Sequence, residues 1–272
     1  MKLKPLTEYE LRKPYSKYYY MPLVKIPEII LNKLERPILP KKAILFEEKN
    51  RFLIPDNDKE EIGYCIFPDG SGYIAMRIEM PDVTPEMIEW WFYWHSLESL
   101  RYKIWYPGAH YKISVKNKKI LYDKNLPPKK KYIHNTHYIT EDVGKGKMNL
   151  FISFYEPEEF GFDINFFKKA NISTIICGIV GFRNLHLKHT YLFHIVHNYK
   201  TGVILRSRFY VGHDIQFILN NKSICKVFNK KIFRRIIITE KLLKGLSLHC
   251  AQEFLQLSKI LPELYFQYKN FV

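Results

Sequence analysis

The run "TEKLLKGLSLHCAQEFLQLSKILPELY" (239–265) decides how the rest of the chain is read. Leucines, Phe254 and Ile260 recur in it at three- and four-residue spacing, the apolar stripe of a helix packed on one face. Thr239 supplies an N-cap, and Pro262 is the expected first interruption. Inside this helix His249 and Glu253 stand at i and i+4, which stacks an imidazole and a carboxylate on one side. Such a pair lies on a solvated stripe, closes a helix surface, or aims two metal-ligand side chains at one spot. The fragment alone does not choose.

Upstream of the helix the signal is mostly β. "GYCIF" (63–67), the turn "PDGSG" and "YIAMRIEM" (73–80) form a hairpin pattern with Asp-Gly punctuation. "TPEMIEWWFYWHSL" (84–97) is a predicted helix, with Thr84 as N-cap, Pro85 at the first position and Glu86 near the positive end. Strand-like runs follow: "HYKISVK" (110–116), "KKILYD" (118–123), "THYITEDV" (136–143), "MNLFISFYE" (148–156) and "STIICGIVGF" (173–182). "HTYLFHIVHNY" (189–199) and "GVILRSRFYVG" (202–212) flank the turn-like "KTG" and read as a hairpin. A sheet of about seven strands, with helices near its start and a long helix at its end, is an α+β pattern. A curved antiparallel sheet wrapped on that last helix encloses a cavity into which one helix face looks. Residues 1–60 are rich in Pro and Lys, with one short helical candidate, "PEIILNKLE" (27–35). They are expected to form an N-terminal arm or small subdomain beside a main domain of residues 61–272.

Hydrophobic residues make up 47% of the 272 residues and charged residues 26%, enough for a sizeable core. Twenty Tyr and nineteen Phe suit a cavity for a flat ligand as well as core filling. The net charge of +16 raises nucleic acid as a partner. The lysines, however, are scattered in short clusters such as "VKNKK" (115–119), "PPKKKY" (127–132) and "FNKKIFRR" (228–235), with no nucleic-acid module beside them. No nucleic-acid partner is therefore expected; a positive field equally suits a phenolate or carboxylate substrate. Cys65, Cys177, Cys225 and Cys250 are far apart and fit neither a zinc ribbon nor a disulfide framework. The N-terminus lacks the apolar core of a signal peptide, and no stretch reaches eighteen uninterrupted apolar residues. The expectation is a soluble, cytoplasmic protein with no membrane partner.

Metal ligands to join His249 and Glu253 must come from the strands. His110 opens one and Glu141 ends another. His134 and His137 are spaced i,i+3, which suits a helix better than a strand. His137, Ile139 and Glu141 alternate on one strand face, so His137 rivals Glu141 as a ligand. In "LFHIVHNY", His194 and His197 point to opposite faces. If Tyr199 pairs with Gly202 across the turn, His194 sits opposite Ser207 and shares its face with Phe209.

Two long motifs, "EWWFYWHSLESLRYKIWYPGAHY" (89–111) and "LHCAQEFLQLSKILPELY" (248–265), resemble the 2,4-diacetylphloroglucinol hydrolase and phloretin hydrolase family. The resemblance runs from about residue 60 to the C-terminus. It implies a helix-grip fold of the START and birch-pollen-allergen kind over residues 61–272. It also implies a zinc (Zn2+) enzyme that hydrolyses the carbon–carbon bond between an acyl group and a phloroglucinol ring. Carried over by position, the metal ligands fall on His110, Glu141, His249 and Glu253, which places Glu141 ahead of His137. A substrate-binding tyrosine falls on Tyr102 and a histidine, the candidate acid/base, on His194. A second tyrosine lands near Phe209, with Tyr210 adjacent, and a polar position lands near the apolar Ile113. These three are the candidate substrate contacts, and the departures bear on the substrate's substitution pattern. The implied partner is a small phenolic ketone, and a homodimer through the N-terminal region is a further expectation. The competing reading is a non-catalytic helix-grip protein carrying an aromatic or lipid ligand, which has no need of four convergent ligands.

Overall fold

A computed structural model of the chain describes residues 3–54, 60–219, 222–224 and 229–270. Two short helices, α1 (Glu8–Leu11) and α2 (Glu28–Lys33), precede a hairpin of β1 (Gly63–Ile66) and β2 (Gly72–Met80). Then come α3 (Pro85–Trp94), α4 (Ser99–Lys103), β3 (His110–Val115) and α5 (Pro128–Tyr132). The strands β4 (Thr136–Asp142), β5 (Lys147–Tyr155), β6 (Ile172–Phe182), β7 (Leu187–Tyr199), β8 (Gly202–Leu219) and β9 (Lys222–Ile224) follow. The chain continues through α6 (Lys231–Ile237) and α7 (Glu240–Tyr268). Among the described residues the strands make one antiparallel sheet of nine, not about seven, in the order β1-β2-β8-β7-β6-β5-β4-β3, with β9 on β8. One antiparallel sheet holding a single long helix is the helix-grip architecture, in an α+β chain. Among the described residues, no helix is long and apolar enough to cross a membrane.

Helix α7 forms for the reasons its sequence states. Thr239 Oγ1 accepts from Leu242 N at 3.2 Å, and Leu243, Cys250, Phe254, Leu257, Leu261 and Leu264 are buried on one side. Each such Leu or Phe contributes roughly 1.5–3 kcal/mol by leaving water. Pro262 does not interrupt it: the helix runs on to Tyr268. Aromatic packing holds the turns beyond the proline. Tyr265 meets Trp90 edge-on at 5.3 Å, and Tyr268 stacks on Trp94 at 5.9 Å. Tertiary contacts there outweigh the loss of one helical hydrogen bond.

"KKILYD" is not a strand. Lys119–Tyr122 is a 3-10 turn with Leu121 as its buried residue, on the excursion from the sheet-edge strand β3 to β4. "KIFRRII" (231–237), which overlaps the last of the lysine-rich clusters, forms α6. The N-terminal segment contributes Tyr15, Tyr18 and Leu34 to the same core as Trp91 and Phe254. Gln252 Nε2 also donates to Val24 O at 2.8 Å. A second core, with Tyr73, Cys177, Phe193 and Tyr210, lies on the far face of the sheet. Cys65, Cys177 and Cys250 are free and buried, and Cys225 lies outside the described residues.

Between the sheet and α7 lies a cavity of about 440 Å³, walled by side chains of β4 to β8 and α7. Gly212 shapes its rim. It sits at φ 71°, and a Cβ there would come within 2.3 Å of Ile238 Cδ1, so only glycine lets β8 bend against the start of α7.

Candidate functional site

His110 and Glu141 face each other across the β3–β4 ladder, beside a bulge at His110/Lys112. A β-bulge re-aims the side chain that precedes it. Helix α7 supplies His249 and Glu253 from above. Gly245, one turn earlier, allows the close approach: a Cβ there would lie 2.9 Å from Val143 O. His110, Glu141 and His249 each bring a ligand atom to within 4.8 Å of the others. Glu253 Oε2 lies 3.6 Å from His110 Nε2 and 3.9 Å from His249 Nε2. His110 Nε2 is 3.8 Å from Glu141 Oε2. Among the sequence-derived candidates, His110, Glu141 and His249 thus form one mutually close set, and Glu253 approaches both of its histidines.

The tautomers of the two histidines are set by the backbone. His110 Nδ1 lies 3.2 Å from Tyr102 O and His249 Nδ1 3.1 Å from Asp142 O. A carbonyl oxygen can only accept, so each Nδ1 carries the proton and each Nε2 presents a lone pair. Those lone pairs face one another at 3.2 Å, with two carboxylates beside them. Burial pulls the His249 imidazole down to about 4 and His110 well below the usual range. Burial also pushes Glu141 up to about 7 and Glu253 well above the carboxylate range. Two imidazole lone pairs facing each other out of water beside two carboxyl groups are unfavourable until a cation occupies their centre. These residues fit a metal ion, and the bonds from both Nδ1 atoms to carbonyls are the orienting contacts that metal-binding histidines use.

Tyr102 lies against this cluster. Its ring stacks on His110 at 4.1 Å, nearly parallel, and its hydroxyl donates to Glu141 Oε2. Trp105 Nε1 donates to Glu253 O at 3.0 Å and so ties α7 to the segment between α4 and β3.

The β7–β8 register pairs Tyr199 with Gly202 and His194 with Ser207, as the turn predicts. His194 is buried in the cavity wall, with Nδ1 2.8 Å from Ser207 Oγ, and burial lowers its pKa to about 3. His197 points to the other face of the sheet, where its Nδ1 meets Ala170 O at 3.2 Å. Phe209 lines the cavity edge-on to His194 at 5.9 Å. The other two substrate candidates do not reach it. Tyr210 follows the strand alternation into the far core, where its hydroxyl donates to Ile44 O at 2.9 Å. Ile113 is buried opposite Ile139, and Ile139 is the residue of that pair that lines the cavity.

Two cavity residues carry signals that sequence reasoning did not assemble. His137 shares the Glu141 face by alternation, yet its ring packs on Phe154 at 4.8 Å and on His95 at 5.6 Å. His95 ends α3, one turn past Trp91, whose carbonyl oxygen is 2.6 Å from its Nδ1. His134, at φ 56°, is on the surface beside Glu159.

The profile of the DAPG hydrolase PhiG domain matches residues 44–266. The chain belongs to this family. It is 36% identical to the phloretin hydrolase of Eubacterium ramulus over 97% of this chain and 93% of that protein. It is 27% identical to the 2,4-diacetylphloroglucinol hydrolase of Pseudomonas protegens, over 93% and 84% of the two chains. Another 2,4-diacetylphloroglucinol hydrolase, from a Pseudomonas species, is likewise 27% identical. Among solved structures, a norcoclaurine synthase from Thalictrum flavum aligns over 70% of this chain and 96% of its own, with a TM-score of 0.35 and 14% identity. The two motifs at residues 89–111 and 248–265 both lie inside the matched family region. Within this family member, the first carries Tyr102 and His110 and the second His249 and Glu253.

Proposed function

We propose that this protein hydrolyses the carbon–carbon bond between an acyl carbonyl and a polyhydroxylated aromatic ring, at a zinc ion held by His110, Glu141, His249 and Glu253. The observation that carries the reading is the pair of Nε2 lone pairs facing each other at 3.2 Å beside a buried and a half-buried carboxyl group, Glu253 and Glu141, at the wall of an otherwise largely apolar cavity. Zinc bonds of about 2.0–2.2 Å in a tetrahedron separate the ligand atoms by roughly 3.3–3.6 Å. The observed separations of 3.2, 3.6, 3.8 and 3.9 Å run from just under to somewhat above that range, and imidazole with carboxylate donors suits zinc. An apolar carrier has no use for two carboxyl groups converging on two histidines in its cavity wall, so the ligand-carrier reading is not favoured.

Zinc bound there supplies Lewis acidity, polarising substrate oxygens and acidifying water toward neutrality. The chain's own residues do the rest. His194 is neutral in its buried setting, and the contact of Nδ1 with Ser207 leaves Nε2 to work. It accepts the proton of a ring hydroxyl and delivers it to the acyl-bearing carbon, which gives the keto tautomer. Water then adds through oxygen to the acyl carbonyl. The carbon–carbon electron pair returns to the ring oxygen as an enolate, and protonation restores the phenol beside a free carboxylic acid. Tyr102 keeps Glu141 in place through its donated bond, and its oxygen can still accept a ring hydroxyl. Phe209 and Ile139 wall the ring's faces.

A turnover screen over acylphloroglucinols, with both products identified, tests this reading. Expected is release of the free ring and the acid by zinc-loaded protein, lost on chelation and restored by zinc. Absence of turnover across mono- and diacyl substrates and phloretin would overturn it.

A further inference from the structure

Two imidazoles in the cavity wall have no place in the proposed chemistry. His95 and His137 are buried, at 2% and 1% exposure, and both line the cavity that holds the metal-ligand cluster. They continue a line of rings away from that cluster. His110 stacks on Tyr102 at 4.1 Å, Tyr102 is 5.9 Å from His95, and His95 is 5.6 Å from His137. Phe92 separates His95 from His194, its ring 5.7 Å from the first and 6.0 Å from the second. His95 and His137 thus lie in the wall beyond Tyr102 as seen from the metal ligands, and across Phe92 from His194.

Their hydrogen bonding is incomplete in a telling way. His95 Nδ1 meets the Trp91 carbonyl at 2.6 Å, so that nitrogen carries the proton and Nε2 presents a lone pair. His137 Nε2 is buried and has no partner among the described residues, and no described hydrogen bond fixes the tautomer of this ring. A buried imidazole without a partner is costly, and an aliphatic or phenyl side chain would fill the same space better. Burial lowers both pKa values, His95 to about 4, so both rings are neutral and present one donor and one acceptor each.

We propose that His95 and His137 form a hydroxyl-recognition pair that selects ring substrates bearing a hydroxyl opposite the acyl group. His95 accepts the hydroxyl's proton in a hydrogen bond, and His137 donates to its oxygen. One phenolic O–H satisfies both. This rests on the aryl–acyl hydrolase reading and assigns within it the residues that recognise one ring hydroxyl: both histidines act on specificity, not on bond cleavage.

The test compares an acyl-2,4,6-trihydroxybenzene with its 4-deoxy counterpart, in wild type, His137→Phe, His137→Asn and His95→Phe, with zinc content and thermal midpoint measured in each. Wild type should favour the trihydroxy substrate in kcat/KM by about tenfold or more, since a site built to bond a hydroxyl rejects analogues lacking it. His137→Phe should shrink that ratio by at least about threefold, mostly by raising KM for the trihydroxy substrate, with zinc retained and a smaller change on the deoxy substrate. His137→Asn should keep part of the preference. An unchanged ratio in both Phe variants, with zinc and fold retained, would overturn the proposal. Calorimetric binding of free phloroglucinol and resorcinol to zinc-loaded wild type decides the case if the variants do not fold or if no acylphenol is turned over. Tighter binding of phloroglucinol supports the pair even where the hydrolase reading has failed, and equal affinities overturn it.

Discussion

At the scale of single residues, the site depends on side chains whose second atom is committed elsewhere. Tyr102 illustrates this: its hydroxyl is spent on Glu141 while its ring stacks on His110. Tyr102→Phe keeps the stacking and removes the orienting bond, so metal affinity or kcat/KM should fall by about 10–100-fold with the fold intact. Zinc titration and kinetics on the same preparation check this, and unchanged values in both would make the tyrosine a packing residue. The two histidines of β7 separate cleanly by strand face. His194→Ala should lower turnover at least a hundredfold while zinc stays bound, the usual contribution of a general acid/base being about 10²–10⁴-fold. His197→Ala should be mild, because His197 faces away from the cavity. A crippled His197→Ala beside an active His194→Ala would assign the proton transfer to the wrong side of the sheet.

At the scale of elements, the closeness of α7 to β4 sets the site. Gly245→Ala is favourable for the helix by about 1 kcal/mol, yet its Cβ would press on Val143 O, next to the Asp142 carbonyl that orients His249. The expected outcome is a folded protein whose metal affinity falls several-fold, read by competition with a chelator. Unchanged affinity would mean that the helix can shift without disturbing His249. The same element shows what the sequence made legible. The stripe of α7, the Thr239 and Thr84 caps and the β7–β8 register follow from local spacing and turn chemistry. The helix's passage through Pro262 does not, because the rings that hold it come from Trp90 and Trp94, more than 160 residues earlier. "KKILYD" carries strand-like residues, but it follows an edge strand and anchors only Leu121. Tyr210 beside Phe209 shows the limit at the site itself: adjacency in sequence places the two on opposite faces of one strand. His95 and His137 were visible as residues, but their shared wall exists only once α3 lies against β4 and β5.

At the scale of the whole molecule, the number of buried neutral histidines governs acid stability. Burial holds His95 at about 4, His194 at about 3 and His137 well below the usual range, against a free value near 6.5. The unfolded chain therefore takes up protons below pH 6.5 that the folded chain refuses. Their stabilising contribution is complete above pH 6.5 and is lost as the pH falls toward 4, at about 1.4 kcal/mol per pH unit for each such group. Denaturant midpoints should drop steeply between pH 6.5 and 4.5, and a flat profile would show that these rings are protonated in the folded state. The lone pairs at the metal-ligand cluster raise a different whole-molecule question, whether the chain folds around one cation. Calorimetric titration of zinc into metal-free protein, run on wild type and His249→Ala, tests that most directly. The account predicts one ion per chain in the wild type, at an affinity at least about a hundredfold above the variant, given the loss of a ligand and of its orienting bond. Equal stoichiometry and affinity in the two proteins would contradict it.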